Sequence, residues 1–317
     1  MDRCHCGAEP SVFLHYAQKH LCQKHFIHMF DKRFRKTVRE HRLIKKGDRI
    51  AVGLSGGKDS CVLLHSLAEL RKDLPFEMIA VTIDEGIKGY REKTMKVASR
   101  ECESLGIEHA VFTYEESAGT TMDKIVAENP GDIPCSHCGV LRRYLLNRGA
   151  REVRADRLAT GHNLDDVAQT VFMNLMKAEP SRLARFSDPI IKSDRFVTRI
   201  RPLMKTPEKE VAIYALMKGI EIEGRECPYA KFAFRGHVRK MLNEAEERYP
   251  GTKFKIVKTF FEIEGALRSK YASGATISEC DSCGEPSSSE TCMYCKRIRM
   301  FRDTEPPGAR KSGDSGR

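Results

Sequence analysis

The chain has 317 residues, 40% of them hydrophobic, with 55 basic against 44 acidic side chains and a formal charge of +11. That length suits one large or two medium domains with small modules, and the charge points to a polyanionic partner. No run of about 18 apolar residues exists, so no helical membrane span is expected.

The N-terminus, MDRCHCGAEP, has no apolar signal region, which predicts a cytoplasmic protein. Twelve cysteines fall mostly in clusters. In a reducing compartment that favours metal binding over disulfides. Residues 1–30 pair Cys4 and Cys6 with Cys22 and His25, the makings of a small zinc module. The Cys4/Cys6 gap is one residue shorter than usual, so His5 and His20 stay open as substitutes, and plain exposed thiols are the bland alternative. Residues 30–47 carry a helical pattern dense in positive charge, read either as a solvated face or as a surface for RNA.

Strand–helix alternation begins at Arg49. Strands are expected at 49–54, 78–83, 109–112 and 157–160, and helices at 58–72, 90–105, 135–148 and 164–177. This pattern implies an α/β fold, a mainly parallel sheet with helices on both faces. Ligands of such sheets bind at the carboxyl ends of the strands. The first strand runs into Leu54-Ser55-Gly56-Gly57-Lys58-Asp59-Ser60, two glycines at a strand-to-helix turn followed by a lysine. Glycine lets the backbone approach a ligand, and the helix N-terminus favours an anion. The string is not GxxxxGK[ST]. It matches the SGGxDS loop of the PP-loop ATP pyrophosphatases, which implies ATP bound by its pyrophosphate end. Two further features fall on the same sheet edge. Ile83-Asp84-Glu85-Gly86 ends the second strand, and Gly161-His162-Asn163-Leu164-Asp165-Asp166 follows the strand RLAT. The two aspartates are either helix caps or, with the other signals converging there, ligands for a Mg2+ ion on the phosphates.

Pro134-Cys135-Ser136-His137-Cys138 enters a helix, and Cys227 stands alone in GRECPYA. A CxxC is a redox pair or half of a metal site. Cys61 and Cys102 read as buried thiols. Residues 178–206 form a loop-rich, arginine-bearing connection, and helices are expected at 207–218, 235–248 and 253–269. Lys231 to Lys240 interleaves Phe232 and Phe234 with positive charge, for nucleic-acid contact or simply for the core. Cys280-x2-Cys283-x8-Cys292-x2-Cys295 has the spacing of a Cys4 zinc ribbon. The last residues, 301–317, are polar and rich in Pro and Gly, and read as a disordered tail. The implied domains are a zinc-finger-like module at 1–30, a catalytic domain at 31–225, a helical extension at 226–275, the ribbon at 276–300 and the tail.

Taken together, SGGKDS, the 135–138 CxxC, GHNLDD, Cys227 and the two terminal metal modules resemble the PP-loop tRNA 2-thiouridine synthetases of the archaeal and eukaryotic cytosolic group (TtuA/NcsA-like). The resemblance implies an ATP-dependent, adenylating sulfurtransferase acting on a tRNA uridine, at the wobble position or in the T-loop. It implies ATP and Mg2+ at Ser55–Ser60, with Lys58 and Asp59 catalytic. Adenine would lie near Ile83 and Asp84, with Gly161 and Asp166 opposite, and Arg142 or Arg143 on the phosphates. It also implies a [4Fe–4S] cluster on Cys135, Cys138 and Cys227, a homodimer, and sulfide or a ubiquitin-like thiocarboxylate carrier as sulfur donor. Two readings compete with it: a cluster-free thiolase using a cysteine persulfide/disulfide pair, and a zinc-ribbon RNA-binding protein with a relic nucleotide site.

Overall fold

The structure is a computed structural model that describes residues 3–186, 195–230, 234–272 and 278–303. The chain begins with β1 (Val12–Leu14) and β2 (Lys19–Leu21), an antiparallel hairpin, then α1 (Gln23–Glu40). The central run is β3 (Arg49–Gly53), α2 (Lys58–Arg71), β4 (Glu77–Asp84), α3 (Arg91–Leu105) and β5 (Glu108–Thr113). Two short helices, α4 (Tyr114–Ala118) and α5 (Met122–Glu128), precede α6 (Pro134–Glu152) and β6 (Arg157–Thr160). Then come α7 (Leu164–Met176), α8 (Pro180–Leu183), β7 (Thr198–Ile200) and α9 (Glu208–Lys218). The chain continues through α10 (Phe234–Arg248), α11 (Thr252–Ala272), β8 (Ser278–Glu279), β9 (Pro286–Ser287) and α12 (Met293–Asp303).

The five-stranded sheet has the order β5-β4-β3-β6-β7 and is parallel throughout. The four expected strands are present. The fifth, β7, lies in the segment read as a loop. Its three residues are too few to show a period, its middle residue is Arg199, and Arg201 follows it. Side chains alternate across the sheet with period two. Ile50, Val52, Met78 and Ala80 enter the core shared with α1, α2, α3 and α9. Ala51, Val81, Ile83 and Leu158 enter the core beneath α6. The strand order reverses between β3 and β6, which opens a crevice at their carboxyl ends.

The expected module boundary at residue 30 falls inside α1. Phe26, Phe30, Phe34 and Val38 recur along that helix and are buried in one core with Leu14, Leu21 and the sheet. The N-terminal hairpin is therefore packed onto the catalytic unit. The helix starts at Gln23, earlier than the charged stretch suggested, and ends at Glu40. Beyond the sheet, α7, α8, α10 and α11 share a third core around Leu164, Val238 and Phe260. Among the described residues no helix is long and apolar enough to cross a membrane. Lys231, Phe232 and Ala233, like the tail beyond Asp303, lie outside the described residues.

Candidate active site

The loop after β3 is shaped by its own hydroxyls. Ser55 Oγ donates to Ser60 Oγ (3.0 Å), and Ser60 Oγ donates to the Gly57 carbonyl (2.9 Å). The N–H of Gly57 donates to Ser55 Oγ (3.3 Å) and that of Ser55 to Ser60 Oγ (3.1 Å). Both serines thus hold the turn in place before any anion arrives. Gly56 has φ +81°, and a Cβ there would fall 1.9 Å from the Thr94 carbonyl oxygen. Only glycine fits. A Cβ on Gly161 would stand 2.8 Å from the Asp59 carbonyl carbon. The loop after β6 therefore touches the first turn of α2 backbone to backbone, and the N-terminus of α2 faces the crevice between the loops after β3 and β6.

That crevice holds a cavity of about 270 Å³ lined by Leu54, Ser55, Asp59, Ser60, Ile83, Arg142, Gly161, His162 and Asp166, all expected from sequence. Glu85, from the expected turn after the second strand, also lines it, as do Leu146 and Thr160, which were not expected. Asp84 does not line it: its Oδ1 accepts the Gly86 N–H (2.8 Å) and closes the turn after β4. Its neighbour Glu85 faces the cavity instead, beside Arg142 (3.8 Å) and Arg91 (2.8 Å). Gly56, Gly57, Lys58, Arg143 and Asp165 are not cavity-lining either.

Lys58 does not stand as a free cation. Its Nζ lies 2.9 Å from Asp59 Oδ2 and 2.7 Å from Glu208 Oε1. Burial opposes its charge, yet Asp59 and Glu208 outweigh burial and hold the ammonium above the ordinary lysine value. Asp59 Oδ1 accepts from Asn163 Nδ2 (2.9 Å). The Asp165–Asp166 pair is divided. Asp165 is buried, ion-paired with Lys253 and accepting the Glu208 N–H (2.8 Å), so it ties α7 to α9 and α11. Asp166 closes a capping box with Asn163 and lies 3.4 Å from Arg235. Burial raises its carboxyl to about 6, Arg235 opposing and Asp59 and Glu208 adding to the rise. Around the phosphate loop three carboxylates, Asp59, Asp166 and Glu208, thus meet two cations, Lys58 and Arg235. These carboxylate oxygens beside a phosphate-binding turn fit a divalent cation arriving with the nucleotide.

The other wall is basic. His162 Nδ1 is 2.8 Å from Thr160 Oγ1, which donates to the Ile200 carbonyl (3.4 Å). The imidazole therefore donates from Nδ1 and leaves Nε2 as an acceptor. Desolvation, then Arg201, Arg235, Arg142 and Arg199, push His162 down to about 3. Its ring is still exposed at the cleft mouth, so the desolvation is partial and the four arginines sustain the downward direction. Arg199 donates to the Arg143 carbonyl (3.0 Å) and is held down to about 10 by burial and by Arg143 and Arg201.

Cys135 and Cys138 sit in the first turn of α6, and Cys227 precedes α10. Cys135 Sγ lies 3.7 Å from the Tyr229 carbonyl, and the Tyr114 hydroxyl donates to the Cys138 carbonyl (3.0 Å). Burial raises the Cys138 and Cys227 thiols, and Cys138 and Cys135 add to the rise at Cys227. The three thiols thus share one space. They are absent from the ligand sets whose atoms lie within 4.8 Å of one another among the described residues. They are spread too widely for one tetrahedral ion.

Two other sets do meet that limit: Cys4, Cys6, Cys22 and His25, and Cys280, Cys283, Cys292 and Cys295. In the first, His25 Nδ1 is 3.3 Å from Cys4 Sγ and 3.2 Å from Cys22 Sγ. A turn with Gly7 at φ +83° lets the short Cys4/Cys6 gap close, and neither His5 nor His20 belongs to the set. In the second, the Cys292 N–H points at Cys280 Sγ (3.2 Å) and the Cys295 N–H at Cys292 Sγ (3.4 Å). Both sets suit structural zinc by ligand type and number.

Sequence reasoning missed Glu208 and Lys253, each on a helix remote in sequence from the loop it serves and marked by no local motif. Arg235 was expected only as part of the basic Lys231–Lys240 segment, and the structure places it on Asp166.

Comparison with known proteins agrees with this geometry. The PP-loop domain family matches residues 26–246. The tRNA 2-thiolation protein NcsA of Haloferax volcanii is 36% identical, over 93% of this chain and 98% of its own. The tRNA-5-methyluridine(54) 2-sulfurtransferase of Pyrococcus horikoshii is 34% identical, over 92% and 91%. Among solved structures, the U34-tRNA thiolase NcsA of Methanococcus maripaludis, described with its [4Fe–4S] cluster, superposes with a TM-score of 0.82 at 35% identity, covering 95% of this chain and 96% of its own. With similarity of this extent over an intact nucleotide loop, the chain belongs to the PP-loop tRNA 2-thiolation family, in its archaeal and eukaryotic cytosolic group.

Proposed function

We propose that this protein uses ATP to activate the C2 oxygen of a tRNA uridine and replaces that oxygen with sulfur. The observation that carries the reading is that Arg142 lines the nucleotide cavity one helical turn after Cys138. Helix α6 therefore links the cavity beside the phosphate loop to the cysteine turn one helical turn away. An oxygen at C2 is a poor leaving group. Attack by that oxygen on the α-phosphorus of ATP expels pyrophosphate and makes it part of AMP, a good leaving group. A sulfur nucleophile on the cysteine side then displaces AMP at C2.

The residues divide the work by position. The N-terminus of α2 and Lys58 hold the phosphates, Lys58 leaving Glu208 to do so. Asp59, Asp166 and Glu208 are the carboxylates for Mg2+. Ile83 and Leu54 offer apolar walls to the adenine, with Gly161 opposite. Arg142, which lines the cavity, faces the nucleotide phosphates, and Arg143, Arg199 and Arg201 receive the RNA backbone, which supplies most of the affinity.

Cys135, Cys138 and Cys227 would hold a [4Fe–4S] cluster, and three thiolates leave one iron open to carry sulfur. Burial raises Cys138 and Cys227. Zinc in the two terminal sets, a homodimer, and free sulfide or a thiocarboxylate carrier as donor complete the proposal. A relic nucleotide site is disfavoured, because the Ser55–Ser60 hydroxyl network is intact.

The test is iron, sulfide and zinc content of protein purified without oxygen, with its visible spectrum. About four irons and four sulfides per chain, lost in Cys227→Ala with zinc retained, are expected. Zinc without iron after anaerobic reconstitution overturns the cluster and moves Cys135 and Cys227 to the persulfide role.

A further inference from the structure

The C-terminal ribbon is not a free appendage. It lies along α6 on a single stripe, His137, Tyr144 and Arg151, which recur every seven residues and so lie on one face at intervals of two turns. At the first position the Phe301 ring meets the His137 ring edge-on, centroids 5.3 Å apart at 66°. At the second, Tyr294 stacks flat on Tyr144, centroids 3.6 Å apart at 4°. At the third, Arg151 pairs with Glu285 at 2.6 Å. Tyr294 stands between the ribbon ligands Cys292 and Cys295. Its hydroxyl donates to the Ser117 carbonyl (2.8 Å), which anchors the ribbon to α4 as well.

A neighbouring stripe of α6 carries Cys138, Arg142 and Leu146 at four-residue spacing, and Arg142 and Leu146 line the cavity. His137 is buried between Cys135 and Cys138 and lies 2.7 Å from Asp132 Oδ2, so the ribbon reaches the CxxC turn itself. The ribbon cysteines and Phe301 share one apolar cluster with Cys138 and Cys227. A helix held at three points two turns apart is fixed both in rotation and along its axis.

We propose that the ribbon positions α6, with Phe301 and Tyr294 setting the CxxC turn against the cleft, so that cluster retention depends on ribbon docking. This rests on the reading that the central cysteines hold the cluster. Outer-shell supports of metal ligands are commonly worth tenfold or more in metal affinity.

The experiment uses the full chain with Phe301→Ala, Tyr144→Ala and the conservative Tyr144→Phe. None of the three alters a metal ligand. Two quantities are read: iron and sulfide retained after anaerobic reconstitution and desalting, and amide hydrogen exchange of residues 135–142 in the iron-free protein. Phe301→Ala and Tyr144→Ala are expected to retain the cluster about tenfold less well, with zinc unchanged, and Tyr144→Phe to restore retention. Amide exchange in the CxxC turn is expected to rise about tenfold in both alanine variants. Unchanged exchange in both overturns the proposal. So does unchanged iron retention in both, where the parent protein takes up iron. Should the parent itself take up no iron, the cluster reading falls, and the exchange measurement still decides whether the ribbon positions α6.

Discussion

Asp166 shows how one residue trades stability for chemistry. Its carboxyl is raised to about 6 by burial and by its acidic neighbours. A folded value above the unfolded one means that the group favours folding below pH 4, where it is protonated in both states. That contribution is lost as pH rises through about 6. At neutral pH the ionised group costs on the order of 2 kcal/mol, after allowance for its partial exposure. Asp166→Asn removes the cost. The expected outcome in urea titrations is a variant more stable than the parent at pH 7, by up to that amount, with the difference closing towards pH 4. Affinity for Mg·ATP is expected to fall at the same time. A variant less stable at pH 7 would mean that the capping box and the Arg235 contact matter more than the charge. Lys58 carries a related lesson: its motif announced a phosphate ligand, but the two carboxylates that hold it come from Asp59 beside it and from Glu208, far along the chain.

At the scale of elements, β3, β4, β5 and β6 were legible because buried parallel strands are short apolar runs bounded by turns. The loop after β3 was legible because its chemistry is contiguous. What could not be read was everything set by pairing across the fold. Asp165 has the same local context as Asp166, and only Lys253 on α11 turns it from ligand to strut. The docking stripe on α6 has no apolar signature, since His137, Tyr144 and Arg151 share neither size nor charge. The short β7 was hidden by its arginines, Arg199 and Arg201, which instead join Arg143 in an electropositive wall beside His162. Replacing Arg143 and Arg199 together by alanine is expected to weaken tRNA binding. The dependence of log affinity on log salt should become shallower by about 0.7–0.9 per lost phosphate contact. ATP affinity should stay as it was. An equal loss of ATP affinity would place these arginines on the nucleotide instead.

At the scale of the whole molecule, the proposed function has two chemically different sides. The phosphate loop and its acidic surround belong to β3, α2, α7 and α9. The cysteines and most of the arginine wall belong to α6, β7 and the segment before α10, and α6 is braced by the C-terminal ribbon. The N-terminal set of Cys4, Cys6, Cys22 and His25 is built into the start of α1, whose apolar face is continuous with the core under the sheet. The proposed division predicts that the two half-reactions can be separated by substitution although they share a substrate. The most direct measurement is to incubate tRNA with ATP labelled at the α-phosphate and to count label retained on the RNA. Cys135→Ala is expected to form tRNA-bound AMP and pyrophosphate without thiolated product, whereas Lys58→Ala yields neither. Loss of the adenylated tRNA in Cys135→Ala, to the same extent as in Lys58→Ala, would contradict the division of the cleft into an activating wall and a sulfur-delivering wall.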